Sequence, residues 1–164
     1  MIWSNLRRSP MRQWWTLSLL ILWAAWWGGL TFYALAVVPI GTEVIGSVSQ
    51  GFITQRVTQW HNGLTGVITL ALFFEAYRRR NRSLNVVASS LLLVTIALIA
   101  WHARLTGMMN FRDETVPSGF YAEHAVYLWI TAAEWGLGIA IPAWLLPIVN
   151  EERPNEAGAD QAGA

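Results

Sequence analysis

The stretch YAEHAVYLWITAAEWGLGIAIPAW, residues 121–144, carries the information that decides the fold. A bilayer core of about 30 Å needs roughly 20 apolar residues of helix to cross it. This segment meets that length, yet it contains Glu123, His124 and Glu134. Tyr127, Thr131 and Glu134 follow His124 at +3, +7 and +10, which places all four on one helical stripe. Ionisable groups are costly inside a membrane helix and face the bundle interior or a water-filled cavity. The stripe therefore predicts an inward-facing polar line, to be matched by groups on other helices.

Composition supports lipid as the solvent. Of 164 residues, 54% are hydrophobic and only 13% charged, about half the charged fraction of a soluble domain. The mean hydropathy is +0.37. There is no Cys, which excludes disulfides, thiolate metal sites and thiol catalysis. All 11 basic residues are Arg, and the 11 Trp suit membrane–water boundaries. No P-loop, dinucleotide-binding fingerprint, HExxH or nucleophile–base pair occurs, so a hydrolytic enzyme is not predicted and a non-enzymatic role is favoured. The short basic arm carries no nucleic-acid-binding pattern.

The reading is an all-α integral membrane protein, a four-transmembrane-helix bundle. Residues 1–13 form a basic cytoplasmic arm and 14–149 the membrane domain, with spans at about 14–38, 58–77, 84–103 and 121–149. Residues 150–164 form an acidic, disordered cytoplasmic tail. Arg7, Arg8 and Arg12 precede the first apolar run, but that run is longer than the roughly 7–15 residues of a signal-peptide core, so it is read as retained. Pro39 and Gly41 are expected to end span one. Residues 40–56 then form either a loop or a short interfacial helix. The Arg groups before span one and at Arg78, Arg79, Arg80 and Arg82 put both termini inside, in a bacterial inner membrane. Glu75 is expected to snorkel to that surface and pair with Arg78 or Arg79.

On this topology His61, His102 and His124 all fall at the outer membrane boundary, with Met108 and Met109 in the adjoining loop and Glu43 and Glu123 nearby. Imidazole and thioether ligands without Cys point to copper, bound or passed through an open-sided site. Haem b, held by two of the histidines on different helices, is the alternative. A third reading is a non-catalytic accessory or assembly subunit without any cofactor, as a homo-oligomer or beside another membrane subunit. Its glycines Gly28, Gly29, Gly63 and Gly66 would make the helix contacts, and its histidines would be ordinary members of the aromatic belt.

Glu134 lies ten residues past His124, about 15 Å deeper along a helix. Its partner is expected among Thr65, Thr69, Thr95, Thr31 and Tyr33. One reading makes it the end of a proton relay through Thr131 and Tyr127 to His124. The other makes it a neutral carboxyl hydrogen-bonded across the bundle.

The run WAAWWGGLTFYALAVVPIG, residues 23–41, resembles the first helix of small four-helix bacterial membrane families, among them the copper-resistance D domain and related families of unknown function. The matching residues are Trp26, Gly28, Gly29, Phe32 or Tyr33, Val37 and Pro39. Phe120 and His124, opening the last helix, also match a pattern used there. The resemblance implies a four-helix inner-membrane bundle with copper handling as an associated function.

Overall fold

A computed structural model describes residues 10–151 of the chain, with side chains from 14 to 146. Most of the basic arm and almost all of the acidic tail lie outside the described residues. Those described form an all-helical bundle without strands; an isolated bridge pairs Asn110 with Thr115 in the loop before the last helix.

Among the described residues the first helix is α1 (Pro10–Phe32). It does not stop at Pro39. A π-helical turn (Tyr33–Val37) leads directly into α2 (Val38–Ile45). Proline removes one helical donor and crowds the preceding turn. The wider turn accommodates this: the Val38 N–H reaches back five residues to the Tyr33 carbonyl. The rod ends instead at Gly46, whose φ of 85° suits a residue without Cβ.

Helix α3 (Ser47–Arg79) starts immediately after Gly46, so most of residues 40–56, expected as either a loop or a short interfacial helix, belongs to the helices on either side of Gly46. A left-handed Arg80 closes α3, and Asn81 caps α4 (Arg82–Met108) by accepting a hydrogen bond from the Leu84 amide at 3.0 Å. Residues 109–119 connect to α5 (Phe120–Glu151), which runs through Pro142 without a break.

The rods form a ring. α1 packs on α3 and α5, and α4 packs on α3 and α5, while α2 packs on α3. α3 and α5 are thus diagonal neighbours pointing the same way, and only side chains bridge them. Trp26, Ile68, Leu72, Leu91, Ile141 and Leu145 are buried at one end, and Leu98, Leu105 and Tyr127 form a smaller cluster at the other.

Three rods are long and apolar enough to cross a membrane: Trp14–Ile45, Arg82–Met108 and Phe120–Leu146. The expected second span, α3, falls outside that set because of its polar residues. Several of these, Gln50, Asn62, Thr65, Thr69 and Glu75, are buried. The outer surface meanwhile carries large apolar side chains such as Ile21, Leu70, Leu93 and Trp129. Polar inside and apolar outside is the distribution a lipid solvent favours.

The glycines expected at helix contacts face open space within this chain. A Cβ on Gly28, Gly29, Gly63 or Gly66 would meet nothing within 4 Å. The close approaches are at Gly41, where a Cβ would overlap Oε1 of Gln50, and at Gly138, where one would overlap Cδ1 of Trp27. The Gly138 carbonyl accepts from Trp23 Nε1 at 2.8 Å. The Trp23, Trp27 and Trp135 rings stack in series beside it.

Candidate functional site

The early start of α3 changes the depth of His61. It lies fourteen residues into α3, and Glu134 lies fourteen residues into α5, about 21 Å along each helix. Because these diagonal helices run in parallel, the two side chains meet inside the ring. His61 Nε2 is 3.6 Å from Glu134 Oε2, too far for a hydrogen bond. That nitrogen is buried and has no hydrogen-bond partner.

The other carboxylate oxygen is fixed. Thr65 Oγ1 accepts from Trp26 Nε1 at 2.8 Å, and its one proton has Glu134 Oε1 at 2.8 Å and the His61 carbonyl at 3.0 Å within reach. Trp26 and Thr65 are both fully buried, and Glu134 is only 1% exposed. The Trp26 ring also lies parallel to His61, with centroids 6.1 Å apart. α1, α3 and α5 thus each supply one part of a single polar knot. Thr65 was among the expected partners of Glu134. Of the others, Thr69, Thr95 and Thr31 donate to carbonyls one turn earlier in their own helices, and Tyr33 donates to Thr54.

A cavity of about 500 Å³ opens against this knot between α1, the π-turn, α3 and α5. Its walls are mainly apolar, including Ala25, Leu30, Val37 and Leu64. His61, Glu134, Tyr127, Thr58, Thr131 and His124 supply polarity. A second cavity of about 260 Å³ lies toward the first turns of α3 and α5, lined among others by His102, Met109, Gln55 and Phe120. The two share Thr58, His124 and Tyr127 as a common wall. Tyr127 is turned toward Asn62, Thr58 and Thr131. The Thr131 hydroxyl donates to the Tyr127 carbonyl at 3.0 Å. The Glu134 carboxyl is bonded by Thr65 on α3 and faces His61 across 3.6 Å.

The three histidines do not share one level. His102 Nε2 lies 3.0 Å from the Gln55 carbonyl, and since a carbonyl only accepts, that nitrogen carries a proton and donates. His61 is six residues beyond Gln55 on α3, about 9 Å deeper. His124 stacks on Phe120 with centroids 5.8 Å apart. Among the described residues no group of three or more His, Asp or Glu is arranged to hold a metal ion. His102, His124 and Met109 line the smaller cavity, whereas Met108 lines neither. Glu123 pairs with Arg104 at 2.5 Å and accepts from Trp101 Nε1 through its carbonyl, so it is committed away from the histidines. Glu43 is exposed.

Glu75 also departs from expectation. It pairs with Arg78 and Arg79 as foreseen, but its side chain is fully buried instead of reaching the surface, and it also accepts from Trp15 Nε1 at 2.8 Å. Trp26 and Asn62 are the members of the site that the sequence reading missed. The signal for Asn62 was available: an amide one residue from His61, inside an otherwise apolar run, is as anomalous as a carboxyl.

No protein-family model, curated protein or solved structure matches this chain. The functional reading rests on the site's own chemistry.

Proposed function

We propose that all four rods cross a bacterial inner membrane with both termini inside, and that the bundle binds a small amphiphilic molecule in the larger cavity. Support for α3 as the fourth span comes from its exposed positions. From Trp60 onward these are Trp60, Gly63, Val67, Leu70, Phe74 and Tyr77 before the Arg cluster, an uncharged stripe fit to face lipid. The Arg residues gathered between α3 and α4 support the orientation.

The observation that carries the binding proposal is the cavity of about 500 Å³ with apolar walls and one polar patch at His61 and Glu134. Concave, mostly apolar sites with a few convergent polar groups are where small molecules bind. His61 Nε2 lacks a partner and stands 3.6 Å from a carboxylate oxygen. A hydroxyl head group entering between them could accept from the imidazole and donate to the carboxylate, while an apolar body fills the rest. Native mass spectrometry of the purified protein tests this. The wild type is expected to carry a small molecule that Gly29→Phe, whose side chain would project into open space at the cavity wall, does not. An identical small-molecule complement in both would refute the reading.

Copper binding is the second reading, supported by His102, His124 and Met109 lining one cavity. It uses His61 and Met108 no longer. A Cu(I) titration that His102→Ala/His124→Ala leaves unchanged would remove it. Haem b gains less support, because the His61 nitrogen that would face iron points at Glu134.

A further inference from the structure

The α3–α4 turn forms a second site at the opposite end of α3 from the two cavities. We infer that it binds the phosphate head group of an anionic phospholipid. The inference rests on the bilayer placement proposed above and is independent of what fills the larger cavity.

A depression of about 600 Å³ is lined by Tyr77, Arg78, Arg80, Asn81, Arg82 and Asn85, with Ala76 at its base. Among the described residues no acidic side chain lines it. Glu75 lies beneath, buried and occupied by Arg78, Arg79 and Trp15. Four guanidinium groups against that one carboxylate leave three positive charges in a segment of eight residues, 75–82. Backbone acceptors are also withdrawn. The Ala76 and Tyr77 carbonyls accept from the amides of Arg80 and Asn81 as the helix closes. Asn81 Oδ1 is used by the Leu84 amide, which leaves its Nδ2 group as a donor. What remains is a concave surface rich in donors, of which Arg78 is held in place by its two-point contact with Glu75. Arginine in such a fork arrangement matches phosphate geometry.

The location selects the lipid over a soluble anion. Tyr77 is 86% exposed, and Trp14, at the same end of the bundle, is 68% exposed. These are residues that settle at the head-group level. The apolar run of α4 begins at Leu84, two residues past Arg82. A phosphate in the depression would therefore sit where a lipid whose tails lie along α3 and α4 carries its head group.

The test uses the full chain, delipidated in detergent and examined by native mass spectrometry with added phosphatidylglycerol or phosphatidylcholine. The wild type is expected to retain phosphatidylglycerol preferentially, and Arg80→Gln/Arg82→Gln to retain it about tenfold less or weaker still, since each basic residue near an anionic surface contributes. Arg56→Gln/Arg112→Gln removes two charges outside this turn and serves as the control. Equal retention by Arg80→Gln/Arg82→Gln and wild type would overturn the site. So would an equal loss in the control, which would reduce the effect to total charge. Displacement of the lipid by inorganic phosphate at matched concentration would assign the depression to a soluble phosphate and overturn the lipid assignment. Failure of the bilayer placement would show separately, as a chain that stays in solution without detergent.

Discussion

Replacing Thr65 with Val removes one hydroxyl from the centre of the bundle while keeping the side chain's shape. That hydroxyl accepts from Trp26 Nε1 at 2.8 Å and lies 2.8 Å from Glu134 Oε1, with the His61 carbonyl of its own helix at 3.0 Å as a second acceptor for its proton. The change leaves a buried indole N–H and a buried carboxyl oxygen without their partner. In a soluble protein, stranding a buried polar group costs about 1–3 kcal/mol. In a membrane, interhelical hydrogen bonds measure about 0.6 kcal/mol on average and up to about 1.7. Two such bonds give an expected loss of about 1–3 kcal/mol. For a chain of this size each kcal/mol moves Tm by about 2–4 °C, so a fall of about 2–12 °C is expected. Thr69→Val is the matched control, because the Thr69 hydroxyl donates only to the Thr65 carbonyl in its own helix. Its loss should stay below about 1 kcal/mol, that carbonyl retaining its backbone bond. The measurement is thermal unfolding in detergent followed by tryptophan fluorescence. A double-mutant cycle with Glu134→Gln then reports the coupling between the two sites. If Thr65→Val proves as stable as Thr69→Val, or if its effect adds simply to that of Glu134→Gln, the polar knot is not what joins α1, α3 and α5.

Gly138→Ala should destabilise by about 1–3 kcal/mol in the same assay, since the added Cβ would collide with the Trp27 ring. Gly63→Ala, where a Cβ meets open space, should leave Tm unchanged or raise it slightly. The opposite order would place the α1–α5 contact elsewhere. Glu75→Gln leaves Arg78 and Arg79 without their buried carboxylate, and breaking a buried pair costs about 3–5 kcal/mol. The expected result is a chain with a much lower Tm, and a shift within 1–2 °C of wild type would mean that the two guanidinium groups are solvated on their own.

Much of the architecture can be read from local features. The apolar runs locate the helices of 14–38, 84–103 and 121–149 to within a few residues at several ends, and Glu134 announces itself as an interior group because lipid tolerates no isolated carboxyl. The pairing of Glu75 with Arg78 and Arg79 follows from helical spacing. Thr65 was foreseen as a partner for Glu134 because a hydroxyl at matching depth on a facing helix is the cheapest way to satisfy it. The errors arose where a local rule met a compensating device. Pro39 ends most helices, but a preceding π-turn absorbs its steric demand, and the stop falls to Gly46. Residues 40–56 left a loop and a short interfacial helix both open, because glycines and polar side chains mask the helical pattern there.

That difference propagates into the site. Hydropathy places His61 near a helix start, beside His102 and His124. The true start at Ser47 carries it about 9 Å deeper than His102, next to Glu134. The sequence by itself determined the helices, the apolar exterior and the fact that some polar groups must lie inside. Only the tertiary structure decided which of them meet, because a helix's register against its neighbours depends on where it begins and on which diagonal of the ring it occupies. His61 and Glu134 face each other because α3 and α5 run in parallel and start fourteen residues before those side chains, a relation that no single segment contains.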